Sequence, residues 1–104
     1  MVAMEAWRIG VSMTILRSEL GLAEDYVAPR SETEKQLAEI WRVALNLDRV
    51  GVDDSYFWLP GDSLIAARIF AEIERVFGVR LPMSTLVKAK SVALLAERID
   101  QKRG

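Results

Sequence analysis

Apolar residues recur at helical spacing directly after the segment "SETE" at positions 31–34. They fall at i, i+3, i+4, i+7 and i+8, which places them on one stripe of a helix of about 14 residues. Ser31 and Glu34 supply the two halves of a capping box at its start. The stripe consists of Leu37, Ile40, Trp41, Ala44 and Leu45. The pattern therefore predicts a first helix that buries Trp41 in the core.

A second helix is predicted from Ser63 to Phe77, because apolar and polar residues separate onto two faces at about 100° per residue. Gly78 follows it and is a favourable residue for ending a helix. The face expected in the core holds Ile65, Ala66, Ile69, Phe70, Ile73, Val76 and Phe77. The outer face holds Leu64, Ala67, Arg68, Ala71, Glu74 and Arg75.

Two further helical segments follow. The stretch "VRLPMSTLVKAK" at positions 79–90 allows a short helical turn after Pro82. Ser91 caps a last helix whose apolar residues again follow helical spacing. These residues are Val92, Leu95, Ala96 and Ile99. The sequence therefore predicts an all-α fold, a four-helix bundle of three main helices and one short one.

Residues 46–62 form a long first loop that is too apolar to be left in water. Its turn-forming residues are Asn46, Gly51, Asp53, Asp54, Pro60 and Gly61. Its apolar residues are Leu47, Val50, Val52, Tyr56, Phe57, Trp58 and Leu59. We expect the loop to close the core, with Trp58 packed inside, and a loop of this length indicates a functional role.

The chain divides into residues 1–27, an N-terminal extension or linker, residues 28–101, the helical domain, and residues 102–104, a tail. Between Trp7 and Ile15 apolar and polar residues alternate with a period of two, as in a strand. Met4, Trp7 and Val11 also stand at helical spacing. A lone strand has no partner here, because no second alternating run follows, so an extra helix and a loosely attached extension stay open.

Charge and residue usage limit the possible functions. The 104 residues carry 14 basic and 15 acidic side chains, a net charge of −1, which argues against a nucleic-acid partner. No apolar run approaches the roughly 20 residues that span a membrane, and we expect a cytoplasmic protein. The sequence contains neither histidine nor cysteine, so it lacks a Ser-His-Asp triad and a thiolate or imidazole metal site. The commonest acid–base catalyst is therefore missing, while catalysis by carboxylates or lysines stays open in principle.

Ser63 lies in "LPGDSL", residues 59–64, and has three possible roles. It could cap the second helix, as could Asp62. It could be a nucleophile, since "GDSL" also occurs in a family of lipases, but a serine without a base is a poor nucleophile. It could also be the acceptor of a phosphate-linked group, which the free amides and the positive dipole end of a helix start favour.

The segment from Tyr26 to about residue 100 resembles the carrier-protein family, specifically the peptidyl and related acyl carriers of nonribosomal peptide and polyketide synthesis. The matching motifs occur in the family's order. They are the capped first helix, "VGVDDSYFWL" at 50–59, "GDSL" at 61–64, "FGVRLP" at 77–82 and "SVALLAERI" at 91–99.

The resemblance implies that Ser63, flanked by the motif residues Gly61, Asp62 and Leu64, receives the 4′-phosphopantetheine arm of coenzyme A. A separate Mg²⁺-dependent phosphopantetheinyl transferase attaches it, and its thiol then holds acyl or aminoacyl groups as thioesters. Further implied partners are an adenylating or acyl-loading enzyme and a condensation or other acceptor enzyme. The resemblance also implies no catalytic residue, no metal site and no enzymatic activity of the chain itself, because such carriers catalyse nothing. We expect a monomer with no nucleic-acid or membrane partner.

The mixed charge of the outer face of the second helix resembles that of peptidyl or aryl carriers more than that of the acidic fatty-acid carriers. We expect partners to dock on Leu64, Ala67, Arg68, Ala71 and Arg75 of this helix. Met83 and Leu86 on the short helix either extend this docking surface or pack in the core. Pro60 departs from the family, which usually has glycine there, and the loop must bend differently here if that position needs a positive φ. The alternative function is an unmodified helical adaptor that binds partners through its second helix.

Overall fold

The computed structural model of the protein describes residues 14–104. Within this range the chain forms helices α1 (Glu32–Leu45), α2 (Ser63–Phe77), α3 (Thr85–Lys88) and α4 (Val92–Arg103). Two single 3-10 turns, Arg17–Leu20 and Tyr56–Trp58, precede α1 and α2. No β-strand occurs in this part of the chain, and the predicted all-α bundle of three long helices and one short one is confirmed.

The helix α1 begins with the predicted capping box. The Ser31 hydroxyl accepts a hydrogen bond from the Glu34 amide at 3.1 Å, and the Glu34 carboxylate accepts one from the Ser31 amide at 3.4 Å. Arg30 forms an ion pair with the same carboxylate at 3.0 Å, and this contact lowers the pKa of Glu34. The first helix is thereby fixed by residues within one turn of its start.

The core lies where α1 packs against α2 and α4. Trp41 is fully buried there, as predicted, together with Ile73 of α2 and Ile99 of α4. Val76 was expected on the buried face of α2, but its side chain is 39% exposed. It lies at the edge of that face, where it lines an open groove between α1 and α2.

The loop at residues 46–62 closes the core as predicted through five of its apolar side chains. These are Leu47, Val50, Val52, Tyr56 and Leu59. The prediction is wrong for Phe57 and Trp58, which are 58% and 53% exposed. Consecutive side chains on a 3-10 turn point in directions about 120° apart around its axis. Because the Tyr56 side chain points into the core, those of Phe57 and Trp58 point outward.

Residues 14–27, here called the N-terminal strap, lie across this loop. Ile15 pairs with Leu47 in an isolated parallel bridge, and the amide of Val52 donates to the Val27 carbonyl at 2.9 Å. The choice between an extra helix and a loosely attached extension concerns residues 4–13, which lie outside the described residues. The division of the chain at residue 27 stays a prediction.

A buried ion pair holds the strap to the loop. The Arg17 guanidinium donates to both carboxylate oxygens of Asp54, at 2.7 and 2.6 Å, and Asp54 also accepts from the Gly51 amide at 2.8 Å. The hydrogen bond to Asp54 raises the pKa of Arg17. Sequence reasoning missed this pair because the two residues are far apart along the chain.

Candidate functional site

Ser63 is the first residue of α2 and its side chain is exposed. The capping role belongs to Asp62, whose Oδ1 accepts a hydrogen bond from the Ile65 amide at 2.9 Å. The interpretation of Ser63 as the cap is therefore wrong. Its hydroxyl makes no hydrogen bond to any other described residue. It stands free at the end of α2 where unpaired amides and the helix dipole favour a negative group.

Gly61 is required because the loop folds back on itself. A Cβ at this position would overlap the Tyr56 hydroxyl and would lie 2.7 Å from Leu45 Cδ2. Gly61 has no positive φ, and neither has Pro60. Proline at position 60 is therefore compatible with the backbone of this loop, and glycine at 61 serves close packing instead of an unusual turn.

Tyr56 connects the motif to the core. Its hydroxyl donates to the Asp62 carbonyl at 2.7 Å. Its ring meets the Trp41 ring edge to face, with centroids 5.4 Å apart. Burial, and next the negative charge of Asp62, raise the pKa of Tyr56 above its ordinary value, which favours the protonated hydroxyl that donates this bond.

Sequence reasoning placed Tyr56 only in the core and missed this contact. A signal was available, because a buried tyrosine needs a hydrogen-bond partner whereas a phenylalanine does not. The partner itself is decided by the folding of the loop.

The predicted docking residues on α2 share one exposed surface. Leu64 is 75% exposed, and the others on this helix are Ala67, Arg68, Ala71 and Arg75. Arg75 forms an exposed ion pair with Glu72 at 2.7 Å. The short helix α3 does not present both of its candidate docking residues. Met83 is exposed in the turn before it, but Leu86 is only 6% exposed and packs in the core, and the neighbouring Val87 faces outward.

Part of this surface forms one wall of a groove of about 720 Å³ between α1 and α2. Its floor and rim include Ile40 and Val43 of α1 and Arg68, Ala71 and Val76 of α2. The α1 residues were missed because α1 was interpreted as a core helix alone.

A smaller cleft of about 300 Å³ lies beside Ser63. Its lining is mainly apolar and includes Phe57, Met83 and Val87 as well as Ser63 itself. Within residues 14–104, no group of three or more acidic, histidine or cysteine side chains could hold a metal ion. Nor does this part of the chain contain a helix long and apolar enough to cross a bilayer.

Comparison with known proteins gives a family match across the bundle. The family described as "Phosphopantetheine attachment site" matches residues 35–99. The chain is 39% identical over 87 residues to gramicidin S synthase 2 of Brevibacillus brevis and 43% identical over 76 residues to malpinin synthetase of Mortierella alpina. These alignments cover 83% and 73% of the chain but only 2% and 1% of those proteins.

Solved structures resemble the same region. One is of the phosphopantetheine transferase Sfp in complex with coenzyme A and a peptidyl carrier protein, with 33% identity and a TM-score of 0.71 over 73% of this chain and 99% of that chain. Another is the solution structure of an active-site mutant of a peptidyl carrier protein, with 30% identity and a TM-score of 0.74 over 79% and 91%.

Proposed function

Because the chain belongs to the phosphopantetheine attachment site family, we propose that it is a carrier that receives 4′-phosphopantetheine on Ser63 and shuttles acyl or aminoacyl groups between biosynthetic enzymes of the nonribosomal peptide or polyketide type. The observation that carries the assignment of the serine is its free, exposed hydroxyl at the first position of α2, inside the matched region. The arm supplies a thiol that can hold such groups as thioesters.

The residues around Ser63 suit the attachment step. The serine oxygen forms a bond to phosphorus while the pyrophosphate bond of coenzyme A breaks, adenosine 3′,5′-bisphosphate leaves, and the serine proton passes to a base of the transferase. Gly61 and Leu64 flank the hydroxyl without enclosing it. The amides of the first turn of α2, where Ser63 lies, would favour the charge of a phosphate attached to it.

The chain itself performs no chemistry in this proposal. Its partners are a phosphopantetheinyl transferase, an adenylating or acyl-loading enzyme, and a condensation or other acceptor enzyme, each meeting a monomeric carrier. The chain spans about 2% of gramicidin S synthase 2, so the products of such synthases are not assigned to it. We place the activity in the cytoplasm, where coenzyme A is available.

We propose the exposed surface of α2 as the surface that partners contact. It begins at Leu64, next to Ser63, and continues through Ala67 and Arg68 into the groove that Val43 and Val76 border. Exposed apolar side chains between charged ones are typical of surfaces that bind other proteins transiently.

The test is incubation of the full chain with coenzyme A, Mg²⁺ and a transferase of broad specificity, followed by mass spectrometry. We expect a gain of one phosphopantetheine arm, its complete loss in Ser63→Ala, and no effect of Ser84→Ala, which removes another exposed serine hydroxyl. Arg68→Glu is expected to slow the gain without preventing it. An unaltered chain that gains no mass would contradict the proposal and support the unmodified adaptor.

A further inference from the structure

We infer that Tyr56 is a positioning residue for modification of Ser63, because its hydroxyl fixes the peptide group that leads into the serine. This inference rests on the proposed attachment at Ser63. Tyr56 does not touch the reacting oxygen, and its effect passes through the Asp62 carbonyl.

The peptide between Asp62 and Ser63 is held by two hydrogen bonds to one oxygen. The Asp62 carbonyl accepts from the Tyr56 hydroxyl at 2.7 Å and from the Ala66 amide at 3.0 Å. The carbonyl carbon of Asp62 is bonded to the Ser63 nitrogen, and a peptide group is planar. Fixing the carbonyl therefore fixes the direction in which the Ser63 backbone, and with it the side chain, leaves the loop.

Tyr56 can hold this peptide because it is itself fixed in the bundle. Its amide donates to the Lys90 carbonyl at 2.7 Å, and its ring is in edge-to-face contact with Trp41 and with Phe57. The side chain is buried. The tyrosine thus links the core, the segment before α4 and the start of α2.

The rest of the loop leaves room for this contact. Gly61 has no Cβ, and a Cβ there would overlap the Tyr56 hydroxyl. Pro60 limits the backbone one residue earlier, because its ring fixes φ at about −65°. Neither residue donates to the Asp62 carbonyl, so Tyr56 alone adds a second hydrogen bond to the one from the Ala66 amide.

A positioned serine matters because Ser63 receives no hydrogen bond of its own from the described residues. Its oxygen must meet the phosphorus of coenzyme A along a defined direction, and misplacement of a reacting group slows a step without preventing binding. Phenylalanine would fill the same space as the tyrosine ring. The hydroxyl is therefore the part of Tyr56 that the inference concerns.

The experiment compares the full-length chain with Tyr56→Phe in single-turnover transfer of the arm, with transferase and coenzyme A in excess. We expect the rate at saturating transferase to fall about three- to tenfold, as for loss of one hydrogen bond. The half-saturating transferase concentration should stay unchanged, because the surface of α2 is intact. Amide hydrogen exchange at Ser63, Ile65 and Ala66 should become faster.

The matched control is Ile99→Val, which removes one methyl group from a buried side chain of α4. Ile99 lies near the end of the bundle where the Thr33 hydroxyl donates to Asp100, away from Gly61 and Leu45. A merely structural role for the hydroxyl predicts the same transfer rate in both variants, and that result would overturn the inference. If the unaltered chain takes no arm, the proposed function fails instead. If transfer occurs and only the half-saturating concentration changes in Tyr56→Phe, the positioning role is also refuted.

Discussion

Gly61 lies two residues before Ser63 and is packed against Tyr56 and Leu45. Its sequence position identified it as a neighbour of the motif serine, but not as a packing position. The backbone there has an ordinary φ, so its glycine is explained by contact distance and not by conformational freedom. The physical reason appears only when residues 45, 56 and 61 are brought together.

Gly61→Ala is expected to lower the free energy of unfolding by about 1–3 kcal/mol, because the new methyl group overpacks a closed site. The entropy gained by replacing glycine, about 0.4–1 kcal/mol, is too small to offset this cost. Urea denaturation followed by circular dichroism measures the change. Ser63→Ala changes an exposed position nearby and should leave the urea midpoint nearly unchanged. If Gly61→Ala has the same midpoint as the unaltered chain, the loop accommodates the methyl group without loss of stability, which contradicts the prediction.

At the scale of helices, the starting residues were mostly evident from sequence. Ser31 and Ser91 cap α1 and α4 as predicted, with Ser91 accepting from the Leu94 amide at 3.3 Å. At α2, Asp62 and Ser63 were both suitable caps. Asp62 has an extended backbone, and its carbonyl accepts a hydrogen bond from Tyr56. Asp62 is therefore the residue that caps α2, and the Ser63 hydroxyl stays free.

Asp62→Ala is therefore expected to lower the free energy of unfolding by about 1 kcal/mol, because it removes the acceptor of the Ile65 amide. Asp62→Asn keeps an oxygen at the same place and should retain most of the stability. The denaturant midpoints of these variants and of Ser63→Ala show which of the two residues caps α2. A larger loss for Ser63→Ala than for Asp62→Ala would assign the cap to the serine.

At the scale of the whole molecule, the N-terminal strap and the long loop depend on each other. Arg17 and Asp54 are buried together, and the loop between Asp54 and Ser63 carries Tyr56. A charge buried with its partner is tolerated, but the same charge without a partner is costly. The strap therefore stabilises the loop that presents Ser63.

Asp54→Ala is expected to destabilise the protein by about 3 kcal/mol, because it leaves the Arg17 charge and the Gly51 amide without their buried acceptor. Chemical denaturation of the full chain measures the loss. Glu74→Ala, which breaks the exposed ion pair with Arg80, is the control and should have little effect. Equal stability of both variants would mean that the buried pair of Arg17 and Asp54 does not stabilise the fold.

The sequence by itself determined the number of helices and the caps of α1 and α4, because helix periodicity and capping act over a few residues. It also identified the motif around Ser63 and excluded a histidine-based active site. Tertiary structure alone decided that Trp58 faces outward, that Leu86 faces inward and that α1 shares a groove with α2. It also joined Arg17 to Asp54 and Tyr56 to Asp62. These outcomes depend on contacts between residues distant in the chain, whose geometry no local pattern encodes.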